Sequence, residues 1–549
     1  MTGPVAVVTG GGGGIGSAAA AELARQGAAV AVVDNGVGAQ GEPLEEPTAA
    51  ETVKRIEADG GTARASTVSV TDAGAVRGLF AEVRRDFGRV DMVLNAAGIV
   101  CYTPVAGTDD HDWASVLDVH VNGYRNVLSA ALPHMVEAGS GRVVGFTSGV
   151  GLARTSGNGL AYGSAKRAVA ALTWELAPLL PDGVAVNCLS PIAATRMVRN
   201  ALLASGAVVG GPAGAGGLDL SAMPQAEDMA PAAAYLAGDR LRWLCGEVVF
   251  SAGSELTLIG RPRLLEVVRT DAVADFGAAL ATVVPVVLAP VESAQRTSGG
   301  SNPRFGDVFG AAASGAPSSP GPDTARCLIV SDDAALGAAI GAAVGRFGLT
   351  PVDIDARTTP HGFESVARRL DDVSRDGSPV EAIVIIRNAD GPDATTWQQL
   401  IDAHGGTVEH VMAHAAWLRA AASTTTQPAA SRRRIVHVTR ATTAAGRTGA
   451  QAVAQMARSA GETATPVPID AFAVSVETAP DAAATRALAD LIARLVAAED
   501  TVPLRGAELV AGSGWAGLRS HPGPLATMSF GGPGIPAWVD EALRQAALR

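Results

Sequence analysis

Val5-Ala6-Val7-Val8-Thr9-Gly10-Gly11-Gly12-Gly13-Gly14-Ile15-Gly16 sets an apolar run, a glycine cluster and then a helical stretch, Ala18 to Gln26, in immediate succession. The apolar run reads as a buried parallel strand, since it is hydrophobic at every position rather than at alternate ones. Glycines between a strand and a helix let the backbone turn tightly and approach a pyrophosphate. That anion is favoured by the free N–H groups and the dipole at the helix N-terminus. A strand before and a helix after argue against a flexible linker. A second strand, Ala29 to Val33, ends in Asp34, near the ~20-residue offset at which an acidic side chain receives a ribose 2′-hydroxyl. A carboxylate there repels a 2′-phosphate, and the glycine loop carries no Arg or Lys. NAD(H) is therefore favoured over NADP(H).

Tyr162 and Lys166, in Ala161-Tyr-Gly-Ser-Ala-Lys166, lie four residues apart and so share one face of a helix. The chain has four tyrosines (102, 124, 162, 235) and two lysines (54, 166), so this spacing occurs nowhere else. A phenol titrating near ~10 is poorly suited to act as a base at neutral pH unless a cation favours its phenolate. Lys166 is expected to supply that cation.

With these residues in view, the chain resembles the short-chain dehydrogenase/reductase family over residues 1 to 265. Thr9-Gly10-x-x-x-Gly14-Ile15-Gly16 resembles the family's cofactor loop, and Asn95-Ala96-Ala97-Gly98, after a strand Asp91 to Leu94, resembles its central-strand motif. Ser148 falls fourteen residues before Tyr162, as the family's catalytic serine does, and Pro191-Ile192-Ala-Ala-Thr195 resembles the segment closing over the nicotinamide. The resemblance implies an oxidoreductase that interconverts a secondary alcohol and a ketone. Tyr162 would move the hydroxyl proton, Lys166 would ease that ionisation and hold the nicotinamide ribose, and Ser148 would orient the reacting oxygen. Gly10, Gly14, Ile15, Gly16, Asp34, Val70, Asn95, Ala96, Gly98, Tyr162, Lys166, Pro191, Ile192 and Thr195 would bind the dinucleotide.

Two positions depart from the family pattern. His120 stands where the family has an asparagine, either as part of a proton relay or as a core imidazole bonded to backbone. Ser69-Val70 replaces the acidic residue that faces adenine. An insertion, Asn35 to Pro47, resembles the hydroxyacyl-thioester and steroid branch, and the Gly/Ala-rich loop Ala204 to Leu220 falls where the family carries its substrate lid. The expected substrate is thus a small alcohol or ketone, of thioester-linked or steroid type. Two alternatives are a polyketide-type ketoreductase using NADPH and a nucleotide-binding scaffold without turnover.

A formal charge of -12 and a pI near 5.3 argue against a nucleic-acid surface. Four scattered cysteines (101, 188, 245, 327) read as free thiols, and a strand beginning at Val5 leaves no room for a signal peptide, which together suggest a cytoplasmic protein. The longest apolar run, Ala278 to Val291, contains two prolines and falls short of the ~20 residues of a membrane span.

At 549 residues at least two domains are expected. We expect an α/β protein of two tandem Rossmann-like doubly wound parallel-sheet domains: a catalytic one at 1–270, a connecting segment with a Ser/Gly/Pro-rich linker at 271–326, and a degenerate one at 327–549. Motifs recur: Trp113-x-x-Val-Leu-Asp118-Val-His120 returns as Trp397-x-x-Leu-Ile-Asp402-Ala-His404, and Asp34 as Asp355. The copy has lost its chemistry. Ser331-Asp332-Asp333 replaces the glycines, Arg440 stands where Ser148 would, and neither Tyr nor Lys occurs after Tyr235. The spacing of His410 and His414 suits a metal pair, but without a third ligand no metal is assigned and a solvated helix face is expected. The degenerate copy would cover the first domain's helix face as an internal pseudo-dimer, with a homodimer of whole chains left open.

Overall fold

A computed structural model of the chain describes residues 3–548 except 45–47, 102–104, 107–109, 153–158, 205–222, 273–274, 297–324, 359–361, 376–377, 424–431, 462, 464 and 533. The expected lid and most of the expected linker lie outside the described residues.

The first sheet has nine strands in the order Thr62–Ser66, Ala29–Val33, Val5–Thr9, Met92–Asn95, Gly141–Phe146, Val184–Pro191, Val248–Ser251, Glu255–Gly260 and Gly523–Ser529. Its first seven strands are parallel, and each of the last two pairs antiparallel with the strand before it. Val5 to Val8 are fully buried, the three valines contributing about 1.5–3 kcal/mol each over an exposed position. Strand order reverses between Val5–Thr9 and Met92–Asn95, the crevice in which doubly wound sheets bind ligands. The second sheet has eight strands: Thr350–Asp355, Arg326–Ser331, Val380–Asn388, Arg433–Arg440, Ile469–Val476, Glu508–Gly512, Trp515–Arg519 and Leu264–Arg269. Both layers are α/β and Rossmann-like.

The sheets do not divide the chain where composition does. Leu264–Arg269, expected in the first domain, is the edge strand of the second sheet, and Gly523–Ser529 is the edge strand of the first. Together with Glu255–Gly260 and Trp515–Arg519 they form one antiparallel ribbon that leaves one sheet and enters the other. The helices that follow are exchanged too. Trp538–Ala547 buries Val539 and Leu543 in the first core, and Arg240 Nη2 meets Asp540 Oδ1 at 2.8 Å. Phe276–Val283 buries Phe276 and Leu280 against the second sheet. The bounds 270 and 327 are therefore corrected, because an edge strand pairs with whatever edge lies beside it, not with its neighbour in sequence.

That exchanged helical stretch continues to Gln295 through a π-turn at Val284–Leu288 which accommodates Pro285, so it is longer than the apolar run suggests. By length and composition it could cross a membrane, but it packs one face on the second sheet through Val284 and Leu288.

Between the sheets, helix Leu160–Leu176 lies antiparallel to helix Ala444–Ala460. Arg167 Nε donates to Gln451 Oε1 at 2.8 Å, and at the other end Arg447 Nε donates to Glu175 Oε1 at 2.9 Å. Beside them, the fully buried Arg419 meets Asp110 at 2.6 Å and stacks on Phe363. Packing between two sheets explains why Leu160–Leu176 is buried nearly all round, its charged Lys166 and Arg167 included.

Candidate active site

Gly10 and Gly14 adopt φ of +65° and +50°, the left-handed region that glycine enters without strain. A Cβ on Gly10 would lie 2.7 Å from Ala97 N, so the loop runs against the Asn95–Gly98 segment. Thr9 ties the two together, donating from Oγ1 to Asn95 Oδ1 at 2.9 Å and accepting from Ala97 N at 3.3 Å. In front of the helix start the space is open: a Cβ on Gly13 would meet nothing within 4 Å, and one on Gly14 only Thr195 Cγ2 at 3.7 Å. Asp34 closes the far side, accepting from Gly12 N at 3.0 Å and Gly36 N at 2.9 Å. The cavity so enclosed measures about 410 Å³, within the usual range for a ligand cleft. A cradle of small residues, a free helix N-terminus and an acidic rim fit a dinucleotide.

Ser148, Tyr162 and Lys166 come together on the wall of the same cavity. Lys166 Nζ donates to Phe146 O at 2.7 Å and sits 5.4 Å from the centre of the Tyr162 ring. Burial pulls the Lys166 ammonium down to about 7 and pushes the Tyr162 phenol up to about 12, with the Ser148 hydroxyl opposing that rise. The Lys166 ammonium does not enter into that Tyr162 shift. Burial is the largest cause for both groups, and the ammonium donates to a backbone carbonyl.

His120 sits in a π-turn, Asp118–Asn122, packed edge-on against Tyr162 with ring centres 5.3 Å apart. Its Nε2 lies 2.8 Å from Ile99 O. A carbonyl only accepts, so Nε2 carries the hydrogen and Nδ1 is left as an acceptor on a cavity-lining ring. Burial, then the Lys166 cation, hold the ring neutral, well below its ordinary value. Gly98 makes room, since a Cβ there would run into the imidazole.

Of the residues that the resemblance implies for the dinucleotide, Gly10, Gly14, Ile15, Gly16, Asp34, Val70, Ala96, Gly98, Pro191 and Thr195 line the cavity. Asn95 and Ile192 do not. Asn95 is buried behind the loop as the partner of Thr9, and Ile192 turns its backbone N–H to Ser251 O at 3.0 Å, in the adjacent strand. Sequence reasoning missed Thr48 and Arg196. Thr48 reaches Gly12 from beyond the insertion and carries no local signal, whereas Arg196 directly follows Thr195 and could have been read from adjacency. The insertion folds back on itself through a Val37–Pro43 bridge, and Ala39 O accepts from Val100 N at 2.8 Å.

The corresponding place in the second half is filled. Asp333 Oδ1 accepts from Leu336 N at 3.0 Å and caps the helix itself, with Arg440 3.5 Å from the same carboxylate. His410 and His414, expected on a solvated face, are buried instead, and His414 Nδ1 lies 3.1 Å from His437 Nδ1. That helix turns Glu409 to solvent, but it lays the face bearing both imidazoles against the second sheet and its neighbouring helices. Among the described residues no His/Cys/Asp/Glu group could hold a metal ion.

Comparison with known proteins agrees with this geometry. Residues 4–204 match the family model for short chain dehydrogenases. A short-chain reductase, NovJ, of Streptomyces niveus is 39% identical over 196 residues, covering 35% of this chain and 71% of that protein. An uncharacterised NAD-dependent oxidoreductase of Mycobacterium tuberculosis is 35% identical over 197 residues, 35% and 71% of the two chains. Across nearly the whole length, the N-domain of a bacterial malonyl-CoA reductase, solved with NADP, has the same fold: 16% identity, TM-score 0.66, 93% of this chain and 98% of that one. With a glycine cradle, a Ser148–Tyr162–Lys166 wall and relatives of this similarity, the chain belongs to the short-chain dehydrogenase family and is an oxidoreductase.

Proposed function

We propose that the protein is an NAD-dependent enzyme that interconverts a secondary alcohol and a ketone at the Tyr162 cavity. The observation that carries this reading is the placing of Ser148, Tyr162 and Lys166 on one wall of a cavity whose floor is the glycine loop. Gly10, Gly14, Ile15, Gly16, Ala96, Pro191 and Thr195 would hold the dinucleotide, with Val70 beside the adenine and Asp34 on the ribose. Bound there, the dinucleotide would supply a hydride donor or acceptor. Tyr162 donates its proton to the carbonyl oxygen during reduction and recovers it from the alcohol during oxidation. Ser148 hydrogen-bonds that oxygen and fixes its approach. Lys166 stabilises the phenolate left by proton transfer, and His120 presents Nδ1 as an acceptor on the same cavity wall.

The carboxylate of Asp34 at the rim supports NAD(H) over NADP(H), because a 2′-phosphate would meet a like charge. The insertion supports a hydroxyacyl-thioester or steroid substrate. The second half, whose cleft is capped by Asp333, acts as a degenerate twin that completes an internal pseudo-dimer. A titration of NADH against NADPH, followed by turnover with acetoacetyl-CoA and with cyclic ketones, tests this reading. Oxidation of NADH with none of them, or a clear preference for NADPH, would sink it.

A further inference from the structure

Arg167 follows Lys166 on the catalytic helix and is 1% exposed. Its guanidinium donates to three groups: Leu152 O at 3.0 Å, Gln451 Oε1 at 2.8 Å and Glu508 Oε2 at 3.1 Å. The last two belong to the half without catalytic groups. Glu508, 2% exposed, also accepts from the Gln451 amide and from Arg519 Nη1 at 3.2 Å, so the charge pair is fully bonded. One helical turn along, Gln455 Nε2 donates to Val150 O at 2.6 Å.

Val150 and Leu152 belong to the turn Gly149–Leu152 that directly follows Ser148. Inside the turn, Val150 N reaches Ser148 Oγ at 3.4 Å and Gly151 N donates to Ser148 O at 2.9 Å. Gly151 rests on the catalytic helix, where a Cβ would lie 2.6 Å from Lys166 Cβ. Gly163, the residue after Tyr162, sits between Val150 O and the Gln455 side chain. The serine turn is therefore gripped at two carbonyls, one by Gln455 directly and one by Arg167, itself held by Gln451 and Glu508.

We propose that Gln455, Gln451 and Glu508 are positioning residues for proton transfer in the opposite half, setting the Ser148 hydroxyl against the Tyr162 phenol. This rests on the roles given above to Ser148 and Tyr162. A neutral donor at 455 and a carboxylate at 508 fix two points of a four-residue turn, enough to define where Ser148 Oγ lies. The half without catalytic groups is then part of the catalytic apparatus without touching substrate.

The test uses the full chain, with whichever of acetoacetyl-CoA and the cyclic ketones the wild type reduces fastest. Gln455→Leu keeps the volume and loses the donor. It is expected to lower kcat about tenfold while leaving the NADH dissociation constant within about twofold, since a small misplacement of a catalytic group is costly and the cradle is untouched. The pH dependence of alcohol oxidation should move to higher pH, because the phenolate loses its Ser148 partner. In a Ser148→Ala background the same change should have no further effect, which a purely structural role would not produce. Glu508→Gln carries the same readouts should the first variant not fold. Unchanged kcat and pH profile, or an effect that simply adds to Ser148→Ala, would overturn the proposal. Failure of the underlying reading shows separately, as a wild type that turns over nothing or a Ser148→Ala variant as active as wild type.

Discussion

Lys166 Nζ is bonded to Phe146 O at 2.7 Å while lying 5.4 Å from the Tyr162 ring centre, so the ammonium is anchored to the strand Gly141–Phe146 beside the phenol ring. This pairing explains how an amine with little solvent contact is kept in place, and why burial rather than attraction dominates both side chains.

Tyr162→Phe removes the proton donor and leaves the cradle intact. Turnover should fall about 10²–10⁴-fold with NADH binding retained, measured by steady-state kinetics and by calorimetry on the same preparation. Wild-type rates from the phenylalanine variant would remove Tyr162 from the chemistry.

The pH dependence of ketone reduction should follow Lys166. Its amine, lowered to about 7, is charged below that pH and neutral above it, whereas Tyr162, near 12, remains a donor throughout. The charged amine stabilises the phenolate formed on reduction, so kcat/KM should be level below about pH 7 and decline above it. A profile rising through neutrality would contradict this assignment.

Acid should destabilise the second half. Burial lowers His410 and His437 to about 3 and His404 to about 4, from an ordinary 6.5. Between about 6.5 and 3 the unfolded chain binds more protons than the folded one at these sites, so stability is full above about 6.5 and is lost as pH falls. Each ring contributes up to about a tenfold change in the folding equilibrium per pH unit. Calorimetric melting at pH 7.5 and 5 should show the drop, and His437→Leu should reduce it.

Residues 1–270 expressed alone should be insoluble or aggregated. The cut removes Gly523–Ser529 from the edge of Glu255–Gly260, strips the exchanged helix Trp538–Ala547, and bares the helix face that Ala444–Ala460 covers. Size-exclusion chromatography decides it: a monodisperse, fully active fragment would mean the second half is dispensable.

Asp34→Ser should raise the ratio of kcat/KM for NADPH over NADH by roughly tenfold or more, the effect of about 1.4 kcal/mol. The comparison needs both nucleotides titrated against one ketone, and an unmoved ratio would separate Asp34 from nucleotide choice.

Much of the site was written locally in the chain. A glycine loop between strand and helix, an acidic residue at the end of the next strand, and serine, tyrosine and lysine at fixed spacings each depend on backbone geometry within a few residues, so they could be read directly and they meet in one cavity. Helix period placed Tyr162 and Lys166 on one face, but not which acceptor the amine would choose. The motif marked Asn95, but not that Thr9 would claim its side chain behind the loop.

What the sequence alone determined was therefore the strand–helix alternation of both halves, the cradle and the order of its chemical groups, all consequences of short-range periodicity and turn sterics. Tertiary structure decided the reciprocal exchange of edge strands, the burial of His410, His414 and His437, and the grip on Arg167 by Gln451 and Glu508, 284 and 341 residues away. Such contacts depend on which surfaces two sheets present to each other once both have formed, and local spacing holds no record of that.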